Sequence, residues 1–302
     1  MTTRLRVGLI GAGPWASMVH APLLSAGSTQ LVGVWARRPD AAHELARQHG
    51  AAAYDRFEAL LDDVEAVAFA VPPQVQAELA PVAARAGKAL LLEKPLAADL
   101  PAAQRFTDEV TAAGVVTQLL LTWRYAAAVR DFLAAVPALG PNSGRGCFLG
   151  PGLLGGPFAT PWRLAEGGLL DLGPHVVDLL DAALGTVVGV RAHRGVDGWV
   201  GLLLEHDTGA VSEASLSGRV GVDVTVAGEQ VYGAEGALAV DCTAAVDVQA
   251  FRTAREEFVT AVRSGIPHSL DVRRGLHLQQ VLHQAQQSLA DAPERLGSVH
   301  RG

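Results

Sequence analysis

The chain has 302 residues, of which 49% are hydrophobic and 18% are charged, and its net charge is −7 at pH 7. This composition is typical of a globular protein long enough for two domains, and it excludes an intrinsically disordered chain. The negative charge argues against nucleic-acid partners, and no apolar run reaches the roughly 20 residues that a membrane-spanning helix needs.

The cysteines and the first residues restrict the class of protein further. Cys147 and Cys242 are too few for a disulfide framework or a multi-cysteine zinc site, and we interpret both as buried apolar side chains. The apolar stretch near the start is too short for a signal peptide and predicts a strand. We therefore expect a cytoplasmic protein.

The first 122 residues alternate short apolar runs with helical stretches, a pattern that predicts a parallel sheet with crossover helices. Strands are predicted at residues 5–10, 31–36, 51–54, 64–71, 89–92 and 115–121. Helices are predicted after the first strand as far as residue 27, then over 39–49, 74–86 and 100–113. This order predicts a doubly wound Rossmann domain over residues 1–122.

Residues 123–302 have a different pattern, and we expect them to form a second domain. Residues 137–161 are rich in glycine and proline and predict a loop with one short strand near 146–149. Valine alternates with Gly221, Asp223 and Thr225 from Val220 to Val226, which predicts a half-buried antiparallel strand. Helices are predicted over 174–184, 250–264 and 272–289, and extended segments over 187–193, 199–206 and 210–226. The fold class is therefore α/β plus α+β, with a mainly antiparallel, open sheet and helices in the second domain.

A glycine turn follows the first strand and has the pattern of a dinucleotide-binding loop. Gly11 permits the tight turn, Gly13 lets the backbone approach a pyrophosphate, and Ala16 is small enough for a helix to pack on the strand. Pro14 and Trp15 lie within this loop and are predicted to contact the cofactor. The free N–H groups of the following helix would receive the pyrophosphate.

The end of the second strand bears on the choice of nicotinamide cofactor. NAD-binding domains often have an acidic residue here, whereas this strand ends with Ala36, Arg37 and Arg38 and has no acid before Asp40. A guanidinium at this point would pair with the 2′-phosphate of NADP. We therefore predict NADP, although the arginines of a solvated loop would look the same and NAD remains an alternative.

Short motifs recur along nearly the whole chain. They are Glu93-Lys94-Pro95, Pro72-Pro73 after the fourth strand, Trp123-Arg124, Trp162-Arg163 before Gly167-Gly168, the run from Asp171 to Asp178, Glu257-Phe258, and residues 264–267. In order and spacing they resemble the Gfo/Idh/MocA family, named after glucose–fructose oxidoreductase and inositol dehydrogenase. The resemblance implies a Rossmann domain joined to an α+β domain with a large open sheet.

The resemblance also implies cofactor contacts and an assembly. The implied contacts, beyond the glycine turn and the end of the second strand, are Val71, Pro72, Pro73, Gln76, Glu93, Lys94, Trp162 and Arg163. Gln76 stands where the family often has a histidine, and Tyr125 follows Arg124 without the family's common proline; both departures leave the substrate open. Association through the open sheet implies a homodimer or homotetramer.

The family's catalytic lysine, aspartate and histidine fall on Lys94, Asp171 and His175. His175 would take the proton of a carbinol, Lys94 would stabilise alkoxide character, and Asp171 would orient His175 or bind a neighbouring hydroxyl. Pro174 fits a first helical position, which would place His175 in a first turn whose dipole disfavours imidazolium. We also expect the Lys94–Pro95 bond to be cis, aiming the lysine into the cleft.

Each of these residues has a plainer interpretation. Asp171 alone would be a helix cap and His175 a core histidine, and a metal site with Asp178 lacks a third strong ligand, so we assign none. Trp123 and Arg124 would line the substrate site, where tryptophan suits sugar faces and arginine suits a phosphate or carboxylate. Alternatively, Trp123 and Trp162 would only fill space at the junction of the two domains.

We therefore predict an enzyme that transfers hydride between NADP, or NAD, and a carbinol or ketone of a sugar, cyclitol or sugar derivative. Two alternatives stay open. The first is a non-catalytic dinucleotide sensor on the same fold, because fold does not prove function. The second is an enzyme of the same family that reduces C=C or C=N bonds, or hydrolyses through transient oxidation.

Overall fold

The computed structural model describes residues 3–291, except for the side chain of Glu166. The end of the predicted second domain, residues 292–302, lies outside the described part. No helix within that part is both long and apolar enough to cross a membrane.

The first half of the chain forms a six-stranded parallel sheet in the order β3-β2-β1-β4-β5-β6. Its strands are β1 (Leu5–Ile10), β2 (Thr29–Trp35), β3 (Ala52–Ala53), β4 (Ala66–Phe69), β5 (Ala89–Leu92) and β6 (Thr117–Leu119). This is the Rossmann strand order, so the predicted fold of this half is confirmed. The central strands β4 and β5 are buried at every position because helices cover both faces.

Helices connect the strands of this first sheet. A π-helical turn (Ala16–His20) leads into α1 (Ala21–Leu24), and α2 (Pro39–His49), α3 (Phe57–Asp62), α4 (Pro73–Arg85) and α5 (Leu100–Ala113) follow. Gly50 and Gly114 cap α2 and α5 in the left-handed conformation that glycine adopts without strain. The helix α3 is absent from our predictions because it has only six residues, too few to show a clear helical period.

The second half forms a six-stranded sheet in the order β12-β11-β7-β10-β9-β8. Its strands are β7 (Pro141–Leu149), β8 (Val187–Arg194), β9 (Val200–His206), β10 (Val211–Ser217), β11 (Val226–Gly233) and β12 (Gly236–Asp241). Among the described strand pairs of this sheet only β7–β10 is parallel, so the prediction of a mainly antiparallel sheet is confirmed.

The strand predicted from the valine alternation at 220–226 is wrong. Residues 218–225 form a loop, and β11 begins only at Val226. The loop hydrogen-bonds to the residues after β7, through the Val220 N–H to the Gly150 carbonyl (3.1 Å) and the Leu153 N–H to the Gly218 carbonyl (2.8 Å). Because no neighbouring strand pairs with Val220, Val222 or Val224 in the described structure, the alternation buries no face, and Val224 is 68% exposed.

The helices of the second half are α6 (Ala127–Ala135), α7 (Pro161–Leu184), α8 (Cys242–Ala245), α9 (Val248–Ser264) and α10 (Val272–Ala290). The long helix α7 is interrupted at Gly167, where φ is 69° and ψ is −162°. The prediction that Pro174 begins a helix is therefore wrong, and His175 lies about two turns beyond the break.

The two C-terminal helices fold back onto the first sheet. Phe258 of α9 is fully buried in a core cluster with β1 and β2. Ahead of α10, the Leu119 N–H donates to the Leu270 carbonyl (2.7 Å), and the N–H of Val272 donates to Thr117 Oγ1 (3.0 Å). Since α10 also packs on β8, these helices connect the two sheets, and a cleft lies at the carboxyl ends of β1, β4 and β5.

Candidate active site

A cavity of about 790 Å³ lies where the glycine turn meets the ends of β1, β2, β4 and β5. The predicted cofactor residues that line it are Gly11, Gly13, Pro14, Trp15, Ala36, Arg37, Arg38, Val71, Pro72, Glu93, Lys94, Trp162 and Arg163. Three others, Ala16, Pro73 and Gln76, lie outside its lining. The cavity therefore brings together residues from five segments that are far apart in the sequence.

The glycines of the turn fit a dinucleotide for two different reasons. A Cβ on Gly11 would lie 2.3 Å from the Ala70 carbonyl oxygen, and its φ of +115° is disfavoured for other residues. A Cβ on Gly13 would meet nothing within 4 Å and would project into open space. The backbone there is free for close approach by a pyrophosphate, while Ala16 is fully buried and packs the helix on β1.

At the end of β2, no acidic side chain among the described residues lines the cavity to bind the ribose hydroxyls of a cofactor. Arg37 and Arg38 are exposed on its rim. The one carboxylate among the lining residues, Glu93, is already engaged, since its Oε1 accepts from Trp15 Nε1 (2.6 Å) and lies 2.8 Å from His20 Nε2. The rim therefore favours a ligand with an additional negative charge.

Gln76 supports the site from behind. It is 1% exposed. Its amide nitrogen donates to the carbonyls of Glu93 (2.8 Å) and Leu96 (3.0 Å), and its carbonyl oxygen accepts from the Glu93 N–H (2.8 Å). The side chain thus fixes the turn that presents Lys94, whose bond to Pro95 is cis as expected. The structure places Gln76 as a brace for this turn rather than at the cavity surface.

Lys94 lies at one end of this cavity and contacts Asp171, which precedes His175 by four residues. Lys94 Nζ donates to the backbone carbonyl (2.7 Å) and to Oδ1 (2.8 Å) of Asp171, and Arg163 Nε donates to the same Oδ1 (3.2 Å). Asp171 and His175 lie one turn apart on α7, which puts them on the same helix face. The three predicted catalytic residues are therefore brought together by β5 and α7.

The charges of Asp171 and His175 follow from this packing. Burial alone would raise the pKa of Asp171, but Lys94 and Arg163 outweigh it and lower the pKa to about 2. Burial, with a smaller contribution from Lys94, lowers the pKa of His175 to about 3. His175 is therefore neutral at pH 7. The cause is burial against Trp123 and Phe148, with ring centroids 5.4 and 6.1 Å away, and the predicted first-turn dipole plays no part.

A second cavity of about 370 Å³ adjoins the first, and the three predicted catalytic side chains line it. Lys94, Glu93, Trp15 and Arg163 line both cavities, so the lysine stands at the junction. Trp123 lines the second cavity and stacks on His175.

Arg124 lies outside this second cavity. Its Nη1 donates to both carboxylate oxygens of Asp178 (3.1 and 3.0 Å), and Oδ1 of Asp178 also accepts from Arg274 Nε (2.7 Å). Asp178 therefore forms ion pairs with two guanidinium groups, those of Arg124 and Arg274. Among the described residues, no cluster of histidine, cysteine and acidic side chains is arranged to hold a metal ion.

Sequence reasoning missed several side chains of the site. Phe148, Phe158 and Phe251 line the second cavity, and His20 contacts Glu93. Each phenylalanine comes from a different element, and no local spacing marks them. Cys147, expected to be buried, is partly exposed, whereas Cys242 is buried as expected and lines the second cavity.

Comparisons with known proteins show the family and the fold of this chain. Residues 5–120 match the model of the oxidoreductase family with an NAD-binding Rossmann fold, GFO_IDH_MocA. A trans-1,2-dihydrobenzene-1,2-diol dehydrogenase of Oryctolagus cuniculus is 31% identical over 73% of this chain and 70% of its own length. A dTDP-3,4-didehydro-2,6-dideoxy-alpha-D-glucose 3-reductase of Streptomyces violaceoruber is 29% identical over 78% and 72%, respectively.

The fold is shared along nearly the whole chain. A solved enzyme of gentamicin A biosynthesis, in complex with NAD, superposes with a TM-score of 0.85 and 24% identity, covering 96% of this chain and 95% of its own. The likeness therefore includes the second sheet and the C-terminal helices as well as the Rossmann half.

Proposed function

Because the chain belongs to the Gfo/Idh/MocA family of NAD(P)-dependent oxidoreductases, we propose that it transfers hydride between NADP and a ring carbinol or ketone of a sugar, cyclitol or related cyclic diol. The observation that carries the proposal is the group at the junction of the two cavities. There Lys94 is held on Asp171 beside a neutral, buried His175. The sugar and diol substrates named for the two relatives support the substrate class.

The first cavity would hold the cofactor. The backbone at Gly13 would receive the pyrophosphate, and Arg37 and Arg38 on the rim would pair with the 2′-phosphate of NADP. When bound, the nicotinamide ring supplies a carbon that accepts or donates hydride. Since Lys94 lines both cavities, the reacting carbon of the substrate would lie beside Lys94.

His175 would exchange the proton of the carbinol oxygen. Its low pKa keeps the imidazole unprotonated and able to accept a proton at pH 7. An imidazole of such weak basicity gains the proton only as the carbinol carbon loses hydride, because the oxygen then becomes strongly acidic. In the reductive direction the imidazole of His175 returns the proton to the substrate oxygen.

Lys94 would hold the reacting oxygen and stabilise its negative charge. The contacts with the carbonyl and Oδ1 of Asp171 fix the ammonium group in place before substrate binds. The other carboxylate oxygen of Asp171, Oδ2, has no hydrogen-bond partner among the described residues, and it would accept from a neighbouring substrate hydroxyl. This arrangement favours substrates with two adjacent oxygens on the ring.

A test separates catalysis from mere dinucleotide binding. Nucleotide-free protein is titrated with NADPH and NADH by fluorescence, and NADP reduction is then measured across a panel of cyclic polyols. We expect Lys94→Met and His175→Asn to lower turnover by about 10²–10⁴-fold with NADPH binding retained. His43→Asn, on the exposed face of α2, is the matched control.

Nucleotide binding without turnover of any polyol would instead support the non-catalytic sensor. Turnover that is confined to C=C or C=N substrates would support the other alternative. Near-normal rates in both variants would contradict the catalytic roles of Lys94 and His175.

We also propose that the enzyme is a cytoplasmic homodimer or homotetramer that associates through the second sheet. Helices α7 and α10 pack on one face of this sheet. The other face presents Leu203, Val211 and Val226, which are 44%, 43% and 51% exposed. Burial of such a patch would favour self-association. Light scattering should show an oligomer that Leu203→Glu weakens, and a monomeric wild-type protein would contradict the proposal.

A further inference from the structure

The second cavity is walled mainly by aromatic rings. Trp123 stacks on Phe148 with centroids 5.4 Å apart, and both rings pack beside His175. In a second group, Trp15 packs edge-on against Phe158 (6.2 Å) and Phe251 (6.3 Å). These five rings come from five separate segments that the tertiary structure brings around one space, and all five line it. Such walls suit a ligand with an apolar face.

The charges that line this cavity are balanced. Two are cationic, Lys94 and Arg163, and two are carboxylates, Glu93 and Asp171. Lys94 and Arg163 both bind Asp171, while Glu93 is bound by Trp15. His175 is neutral because of its burial. No cation among these lining residues is left over to neutralise a phosphate or carboxylate of the substrate.

The arginines of the two Trp-Arg pairs, Arg124 and Arg163, are each paired with an aspartate. Arg124 lies outside the cavity and pairs with Asp178. Arg163 is hydrogen-bonded to Asp171, and its guanidinium lies 4.7 Å from the centroid of Trp162 and 5.7 Å from that of Phe158. An anionic substrate would therefore be desolvated beside Asp171 and Glu93 without a partner of its own, which is costly.

The volume of the second cavity also favours a small substrate. Its volume of about 370 Å³ is near the lower end of the range of small-molecule sites, which is about 300–1,000 Å³. A single ring fills such a space, whereas a nucleotide-linked sugar would have to extend beyond the aromatic walls.

From these observations we propose that the substrate is an uncharged, single-ring compound with vicinal hydroxyl groups and at least one apolar face, such as a cyclic diol or a deoxygenated sugar. The inference rests on the proposed function and specifies its substrate. The ring carbinol loses hydride to NADP and a proton to His175, which yields a hydroxyketone and NADPH. The second hydroxyl stays in place on Asp171.

The test compares matched ligands on the enzyme with NADP bound. The first pair is the trans vicinal diol of cyclohexane and its analogue in which a carboxylate replaces one hydroxyl. The second pair is glucose and glucose phosphate. Binding is measured by ligand-observed NMR and calorimetry, and turnover by NADPH absorbance. We expect each neutral member to bind at least about tenfold more tightly than its anionic partner.

A pair of variants tests the charge argument directly. Thr243 is exposed and lines the cavity. Thr243→Lys adds the missing cation and should reduce the preference for the neutral member severalfold, whereas the similarly sized, uncharged Thr243→Gln should leave it unchanged. Phe251→Leu should weaken binding of the cyclohexane diol more than binding of glucose, because it removes an aromatic face but keeps an apolar side chain.

The results also separate this inference from the function on which it rests. Equal or tighter binding of the anionic members to the wild-type enzyme would overturn the inference, even where turnover depends on His175. Preferential binding of the neutral members without His175-dependent turnover would support the specificity of the cavity and contradict the oxidoreductase mechanism.

Discussion

The burial of His175 predicts a pH dependence of stability that a single substitution should remove. In the unfolded chain the histidine titrates near its ordinary pKa of about 6.5, whereas in the fold its pKa is about 3. Between these two values the unfolded state binds a proton that the native state does not. The free energy of unfolding must therefore fall as the pH is lowered from about 6.5 towards 3, at up to about 1.4 kcal/mol per pH unit.

The size of the effect follows from the two pKa values. Between pH 7 and pH 5 the linkage amounts to about 2 kcal/mol for this one histidine. His175→Asn removes the titrating group, so the variant should lack this loss while every other histidine still titrates. Urea denaturation of both proteins at pH 7, 6 and 5 measures the difference.

The informative quantity is the difference in unfolding free energy between wild type and His175→Asn at each pH. From pH 7 to pH 5, wild type should lose about 2 kcal/mol more unfolding free energy than the variant does. His43→Asn, which changes an exposed histidine, should keep the wild-type slope. Parallel stability profiles for wild type and His175→Asn would refute the reasoning, because His175 would then be as accessible to protons in the native state as in the unfolded one.

Three further substitutions test the surroundings of the site. Arg37→Asp should lower the ratio of NADPH to NADH affinity in fluorescence titrations, and an unchanged ratio would contradict the role of this rim arginine. Gln76→Leu leaves the N–H and carbonyl of Glu93 without their partner; it should cost about 1–3 kcal/mol in chemical denaturation and lower kcat more than it raises the Kd for NADPH. Arg124→Met should destabilise the fold by weakening the ion pair with Asp178, yet leave substrate KM nearly unchanged; a large rise in KM would place Arg124 in substrate binding after all.

Much of the Rossmann half could be predicted because its signals are local. Each strand of the parallel sheet is a short apolar run bounded by turn residues, and the glycine turn directly follows β1. The caps at Gly50 and Gly114 also follow from single residues in the left-handed conformation. Lys94, Asp171 and His175 were identified by their motifs, and the sheet and α7 then brought them together.

Other features depend on partners far away in the chain, so no local pattern could determine them. The valines at 220–226 alternate as in a strand, but residues 218–225 bond to the loop after β7. Arg124 resembles an anion-binding residue until Asp178, 54 positions further on, is seen to neutralise it. The helix containing His175 begins before Pro174, so the low pKa of this histidine comes from burial by Trp123 and Phe148.

Short motifs are enough to predict which residues carry redox chemistry, because the residue types and their spacing are local. What the cavity can accept depends instead on the packing of the folded chain. Its aromatic walls and balanced charges arise from side chains on separate elements, such as Phe148 on β7 and Phe251 on α9. Burial and ion pairing are properties of their positions in space, and these positions exist only once the two sheets and the C-terminal helices have packed together.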